Sequence, residues 1–443
     1  MLIQLLRLLR WALAYAFFDL YRTARKVFGR PALTRPATEG MDGLEVTRAC
    51  LEACLEWRRV GEERFATVLC AGFRHFREPW ARDFGFACFG LLAEGREAVV
   101  HDGIRLFFQH QKADGQLPLK LHSTRLLERY LHSVLGRVQP NETDLIPRYL
   151  TAHGTRSLDS VLLLVIAWGE YQQKHGHMTD LIPQVHKALQ WVERVKDGRG
   201  LINQGPFADW ADSIGRRGAV LYTNVLWWKA RLTLEEVEGK AGIAREIGRN
   251  ILAHFFKDGY LHNTPRSPIF TSPANFMAVA WGLTDSQQSQ SILDYAEKKG
   301  ISDVVPARVT DRSYPFYQVS PLMWLAGIPH YHTSCSWMWI GGWHAVACQR
   351  AGQNERALEI VTKMLDTVDR DRTVFEVHAP DGRPLARLLY HSEEPLSWNA
   401  AMLLYAHSVV HHGWVERPPA GGHAHQRLPA GHQRGGRFRR VLP

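Results

Sequence analysis

Ser157-Leu-Asp-Ser-Val-Leu-Leu-Leu-Val-Ile-Ala-Trp-Gly-Glu-Tyr171 is the stretch that decides the fold. Every residue from Val161 to Trp168 is apolar. A helix without a polar face must be buried all round, so the segment predicts an inner helix wrapped by a second layer. The run opens on an acid, Asp159, flanked by Ser157 and Ser160. At a helix start, Asp and Ser ordinarily satisfy free backbone N–H groups. The alternative is a catalytic carboxylate at the floor of a cleft.

Helical patterns recur in pairs outward from this stretch: 44–60 with 62–75, 82–94 with 97–112, 157–173 with 181–196, 217–233 with 240–256, 273–282 with 288–299, and 335–351 with 354–369. A last one covers 397–411, and strand patterns are nearly absent apart from Thr373 to His378. Paired helices, several apolar all round, predict an all-α body of two concentric layers. Helix 181–196 is of the outer type, with Leu181, Ile182, Val185, Leu189, Val192 and Val195 on one side.

The ends differ from the body. Residues 1–30 predict an amphipathic helix. Its apolar run is broken by Arg7, Arg10 and Asp19, whereas a membrane span needs roughly 20 apolar residues with few charges. No clear small-residue cleavage site follows it. Two readings stay open: docking on the body, or a membrane-surface position contacted through residues 1–26. Residues 31–40, with Pro31, Pro36 and Gly40, are a linker. The body is expected over 41–415. Residues 416–443 lose apolar periodicity and predict a disordered basic tail.

The net charge of +10 is concentrated at the two ends, leaving a nearly neutral body. Nucleic-acid binding is therefore not expected. The 15 Trp, 13 Tyr and 19 Phe suit stacking on sugar faces. Six scattered cysteines without a CxxC pair imply free thiols in a reducing compartment. The expected location is cytoplasmic, with peripheral contact at the inner membrane as the alternative. No metal or cofactor is expected, and oligomeric state stays open.

Polar clusters fall where helical runs begin or join. They are Trp80-Ala-Arg82-Asp83, Asp114-Gly-Gln-Leu-Pro118, Asp159, Gly205 to Asp212 with Asp209 and Trp210, and a late set. The late set comprises His332 to Trp337, Phe375-Glu376 and Ser397-Trp398-Asn399. Singly, each has an ordinary structural role: Asp83, Asp159 and Asp209 or Asp212 as caps, Asp114-Gly115 as a turn, the Trp residues as core. Together they supply what glycoside cleavage needs, namely a protonated carboxyl, an opposing carboxylate, and acids and aromatics to hold the sugar.

Their order resembles the six-hairpin (α/α)6-barrel glycosidases, most closely the neutral/alkaline invertases, with features of the glucosidase part of glycogen-debranching enzymes. The carrying segments are Arg82-Asp83-Phe84, Gly115 to Pro118, Gly136 to Pro140, Asp159-Ser160 through Tyr171, Asp212 to Tyr222 with Arg216-Arg217-Gly218, His332 to Trp337, Glu376 with Asp381-Gly382, and Ser397-Trp398. Ala274 to Leu283 looks more like the debranching relatives. Departures are Val374-Phe375 before Glu376, Thr333-Ser-Cys335 after His332, and an inserted segment between Pro140 and Asp159.

The resemblance implies an (α/α)6 toroid whose general acid is Asp159 and whose general base is Glu376. Trp80, Arg82, Asp83, Asp209, Trp210, Asp212, Tyr222, His332, Trp337 and Trp398 would contact substrate. The expected reaction is inverting hydrolysis of a sucrose-like or α-glucosidic oligosaccharide, with carboxyls roughly 6.5–9.5 Å apart. One difficulty stands: a helix N-terminus favours ionised Asp159, so burial and acids such as Asp209 or Asp212 must keep it protonated. The alternative is a catalytically silent carbohydrate-binding or scaffold protein recruited to a membrane by its first helix. A lyase or epimerase would need His332 and Tyr222 as its acid/base pair.

Overall fold

The computed structural model describes residues 2–122, 124–141 and 144–412; the expected tail at 416–443 lies outside them. In chain order the helices are α1 (Leu2–Phe28), α2 (Gly43–Ala53), α3 (Ala81–Ala93), α4 (Glu97–Phe108), α5 (Leu126–Val134), α6 (Leu158–His175), α7 (Ile182–Glu193), α8 (Leu221–Glu238), α9 (Ile243–Phe255), α10 (Ser272–Ala280), α11 (Ser286–Lys298), α12 (Pro321–Leu325), α13 (Met338–Arg350), α14 (Asn354–Asp371) and α15 (Ser397–His412).

An inner ring closes on itself. Helix α3 packs on α6, α6 on α8, α8 on α10, α10 on α13, α13 on α15, and α15 returns to α3. Each inner helix carries an outer partner: α4, α7, α9, α11, α14 and, for α15, α2. The architecture is an (α/α)6 toroid with an extra N-terminal helix. Burial follows the sequence pattern. Helix α6 is buried without interruption from Leu158 to Gln172. Helix α7 buries only one face, through Val185, Ala188, Leu189, Trp191 and Val192.

Glycines let the inner helices touch. A Cβ on Gly90 of α3 would stand 2.0 Å from the Ala401 carbonyl oxygen of α15, and one on Gly169 of α6 would stand 1.7 Å from Thr233 Cγ2 of α8. The Gly90 gap, walled by backbone, admits no methyl group without moving a helix, and the Gly169 gap admits one only if Thr233 gives way.

The pairing of 44–60 with 62–75 is corrected. Helix α2 is followed by an antiparallel hairpin, β1 (Leu55–Arg59) with β2 (Phe65–Leu69). The strand signal is inverted in sequence. Glu56 and Arg58 point inward, while Trp57 is 68% exposed. The buried charges are paired, Glu56 with Arg77 Nε at 2.5 Å and with Arg58 at 3.5 Å. Thr373 to His378 forms no regular strand; His378 only bridges Ser336 and Pro384.

Helix α1 docks on α5 by its C-terminal end alone. Val27 is fully buried, Lys26 pairs with Glu128 at 2.7 Å and Arg125 with Asp19 at 3.6 Å. From Leu5 to Phe18 the large apolar side chains stand in solvent. No helix among the described residues is long and apolar enough to cross a membrane. All six cysteines are buried free thiols.

Gly90→Ala is expected to lower stability by about 1–3 kcal/mol through overpacking at the α3–α15 seam. Thermal unfolding followed by circular dichroism checks this; an unchanged transition would show that the seam yields.

Candidate functional site

The inner helices present their N-termini at one end of the ring, and the cleft gathers there. Asp83 lies in the first turn of α3, Trp337 precedes α13 and Trp398 opens α15. The loops before α8 and α15 add Asp212 and Glu376. The cavity holds ≈ 80 Å³. That is room for about six waters, the scale of one sugar ring rather than a chain. A larger hollow of ≈ 530 Å³ lies by the β1–β2 hairpin, beside Trp57 and Phe65. Its acids, Glu62 and Asp144, are solvent-exposed, so it lacks the desolvated carboxyls that acid/base chemistry requires.

Three carboxyls line the small cavity: Asp83, Asp212 and Glu376. Burial pushes Asp83 up to about 7, Arg82 opposes that, and the charges of Glu376 and Asp212 add to it. Burial also lifts Asp212 to about 6, against Arg82 and with help from Asp209 and Asp159. Half of Asp212 is nonetheless open to the cavity, with 45% of its side chain accessible. Glu376 is fixed differently. Tyr331 Oη donates to its Oε1, while Tyr390 Oη (2.5 Å) and the Glu393 N–H (3.1 Å) donate to its Oε2.

Asp159 stands behind this cavity and does not line it. It is fully buried and clasped by Arg82, Nε to Oδ2 at 2.8 Å and Nη2 to Oδ1 at 3.3 Å. Ser157 Oγ (2.6 Å) and the Ser160 N–H (2.8 Å) also donate to Oδ1. The helix cap is Ser157, with Asp159 in the first turn. Asp209 is likewise consumed. Arg216 grips both of its oxygens at 2.8 and 2.9 Å, and Gln204 and the Ala211 N–H complete its shell. Neither acid has an open face.

The other expected residues divide in the same way. Arg82 lines the cavity, and its Nη1 lies 3.9 Å from Asp212. His332 lines it too, with Nδ1 2.6 Å from Ser213 Oγ. Burial and the charges of Arg216 and Arg82 hold that imidazole well below its ordinary pKa, so it is neutral. Trp210, Trp337 and Trp398 are nearly fully buried and form the aromatic floor. Trp337 stacks on His332 at 5.7 Å and Trp398 on Trp339 at 5.0 Å. Trp80 keeps accessible surface, but Lys120 Nζ sits 3.8 Å over its ring. Tyr222 is walled off, its buried hydroxyl having no hydrogen-bond partner among the described residues. The Asp114-Gly115 segment is a turn, with the Gln116 N–H on Asp114 Oδ1 at 3.1 Å.

Phe76, Tyr331 and Leu396 complete the lining, and Tyr390 and Glu393 support Glu376; none of the five was expected from sequence. Burial would raise Glu393, but His75 and Arg74 outweigh it and leave Glu393 at about 2. Its carboxylate is wrapped by the N–H groups of Phe73, Arg74 and His75 at 2.7–2.9 Å. The sequence signal was the Tyr390 to Glu394 segment, 14 residues or more beyond Glu376, which meets it only after the chain folds back.

No family model matches the chain, and no curated protein matches it in sequence. Solved structures match. The GH63 mannosylglycerate hydrolase of Thermus thermophilus, solved with Tris and D-glycerate, superposes with TM-score 0.59 over 82% of this chain and 99% of its own, at 14% identity. A Klebsiella oxytoca rhamnosidase with rhamnose bound gives 0.57, covering 86% of this chain and 66% of its own, at 14% identity. A glycosidase variant in complex with glucose gives 0.54 over 83% and 96%, also at 14%. The chain has the six-hairpin glycosidase fold. None of these three is named as an invertase or a debranching enzyme, so the expected closeness to those families gains no support from them.

Asp159→Asn is expected to cost about 3 kcal/mol, because it leaves the Arg82 guanidinium buried without its counter-charge; a shift in the urea midpoint measures it. Asp83→Asn works the other way. A carboxyl whose folded pKa is raised from 3.8 to about 7 loses folding stability as pH climbs through that window. The Asn variant should therefore unfold at higher temperature at pH 8, by about 1–2 kcal/mol after discounting for partial exposure, and gain nothing at pH 4. Equal gains at both pH values would contradict the raised pKa.

Proposed function

We propose that the protein is an inverting glycoside hydrolase that removes one terminal sugar from a small glycoside. The acid is Asp212 and the base is Glu376. The observation that carries this is the cavity itself. It is sized for one ring and lined by a carboxyl lifted to about 6 and a second carboxyl held by three donors. Pairs of carboxyls in different environments are how acid and base roles are divided. Asp159, the acid implied by resemblance, has no open face through which to reach a substrate; it acts here as a positioning residue through Arg82.

In this mechanism the Asp212 carboxyl gives its proton to the glycosidic oxygen as the bond from that oxygen to the anomeric carbon breaks. Water attacks the carbon from the opposite face and yields its proton to Glu376, leaving a hemiacetal of inverted configuration. Asp83 feels the charge of both carboxyls and is placed to bind hydroxyls beside them. Neutral His332 offers a further polar contact, and the Trp210–Trp337–Trp398 floor offers apolar faces. The sugars bound by the similar structures support carbohydrate as the substrate class. Within that class we propose an α-glucoside.

Asp212→Asn and Glu376→Gln should each lower kcat by about 10²–10⁴, with bound sugar still detectable by calorimetry. Wild-type kcat/KM should fall as pH rises past about 6, where Asp212 loses its proton, and the Asn variant should lose that limb. Proton NMR of a panel of α- and β-linked glycosides should show the first product with inverted anomeric configuration. An undiminished rate in Asp212→Asn would remove the acid assignment, and a panel without turnover would favour the silent carbohydrate-binding reading.

A further inference from the structure

We infer that the mouth of the cleft lies against an anionic membrane surface, and that the sugar it admits is the headgroup of a lipid. The second half rests on the glycosidase reading above. The inference starts from α1. At about 100° per residue, Leu5, Leu9, Leu13 and Phe17 fall on one face, and all are 56–68% exposed. Arg7, Arg22 and Arg25 fall on the opposite side, among the exposed Leu8, Trp11, Tyr15 and Phe18, with Arg10 at the boundary. Exposed apolar and aromatic side chains interleaved with arginines, on a helix too charged to span, suit a helix lying in the headgroup layer.

Loops next to the cleft also carry exposed apolar side chains. Helix α1 sits on α5, and α5 touches the Tyr390–His391 strand. The turn before that strand exposes Leu388 to 88%. Arg387 in the same hairpin packs beside Gly327, its Cγ 3.8 Å from where a Cβ would stand. Gly327 closes the turn after α12, whose Leu325 is 73% exposed. Phe316 and Tyr317, 75% and 72% exposed, precede a segment bonded to the loop before α8, Gly215 N–H to Gln318 O at 2.6 Å and Ser320 N–H to Ser213 O at 2.8 Å.

These apolar side chains are anchored to the site's own residues. Leu388 is two positions from Tyr390, the donor to Glu376, and the loop paired with 318–320 begins next to Asp212. Exposed apolar side chains gathered beside polar groups mark contact surfaces. The first 30 residues carry Arg7, Arg10, Arg22, Arg25, Lys26 and Arg30 against Asp19 alone. That charge complements anionic headgroups, whereas a second copy of α1 would bring like charges together.

The cavity then defines the substrate. At ≈ 80 Å³ it has room for one ring, and the rest of the molecule would stay outside it. The exposed Phe316, Tyr317, Leu325 and Leu388 stand on loops next to the site, and an apolar aglycone rather than a second sugar matches them. The sugar would enter from the bilayer plane with its lipid still embedded.

The test uses the full chain and sedimentation with phosphatidylglycerol–phosphatidylcholine vesicles against pure phosphatidylcholine vesicles. Soluble methyl glycosides, whose aglycone is too small to reach Leu325 or Leu388, and vesicles carrying a glycolipid of each same sugar, are assayed in parallel. Binding is expected to the anionic vesicles only. It should weaken about tenfold or more in Leu9→Glu/Leu13→Glu and in Leu325→Glu/Leu388→Glu. Both variants should keep wild-type thermal unfolding and wild-type turnover of the soluble glycoside, while turnover of the glycolipid falls. Binding to neutral vesicles alike, absence of binding, rim variants that bind as wild type, or an α1-dependent dimer in light scattering would each overturn the membrane inference. Turnover of soluble sugar without vesicle binding fails this inference alone. Vesicle binding without turnover of any glycoside fails the glycosidase reading and leaves the membrane contact standing.

Discussion

The ion pair between Arg82 and Asp159 joins the first turn of α3 to the first turn of α6 in the interior of the ring. A buried pair of this kind gives little net stability, but it is costly to break, and so it specifies geometry more than it adds energy. Its geometric effect is local. It fixes the guanidinium so that Nη1 reaches within 3.9 Å of Asp212, and it sets the turn that aims Asp83 at the same cavity. A second pair, Arg216 with Asp209, repeats the device on the far side of Asp212. That second pair lies within the loop before α8, and Arg216 Nη1 ties the loop outward, to Asn263 Oδ1 at 3.1 Å and Tyr314 Oη at 3.3 Å.

The fold was legible because the toroid needs two kinds of helix, and the kinds differ in composition. Val161 to Trp168 can only be an inner helix, and the one-sided pattern of 181–196 can only be an outer one. The β1–β2 hairpin was not legible. Glu56 and Arg58 are buried through their pairing with each other and Arg77, which reverses the alternation that marks a strand. A pattern rule reads burial as apolar, and it fails where charges are buried in pairs.

The site was legible as a set of positions but not as a set of roles. Asp83, Asp212, His332, Trp337 and Glu376 were all identified from their clusters, and the structure brings them to one cavity. The role given to Asp159 depended on whether its carboxyl had an open face, and no spacing rule reports that. It depends on Arg82, 77 residues earlier in the chain. The support of Glu376 by Tyr331 and Tyr390 was invisible for the same reason, since these residues approach it only through loops that the helical periodicity does not order.

The acids of the cleft wall differ in how closely each meets a cation; His75 Nε2 stands 3.9 Å from Glu376 Oε2. Asp159 has Arg82, Asp209 has Arg216, and Glu393 has His75, Arg74 and three backbone N–H groups. Each of these satisfied acids stands in the wall. Asp212 only approaches Arg82, at 3.9 Å, and Asp83 feels its charge without a direct bond, so burial and neighbouring carboxylates prevail and their protons are held to higher pH. Helix α3 offers its N-terminus to Asp83, which would favour the charged form, and the raised value shows that desolvation wins. Glu376 is the exception that completes the set, lining the cavity yet bonded by hydroxyls and one backbone N–H rather than clasped by a guanidinium. Donors without charge orient a carboxylate without neutralising it. Within a single wall of side chains, then, Asp159, Asp209 and Glu393 are matched by arginine or histidine and backbone N–H groups, whereas burial governs Asp83 and Asp212 and hydroxyl donors govern Glu376.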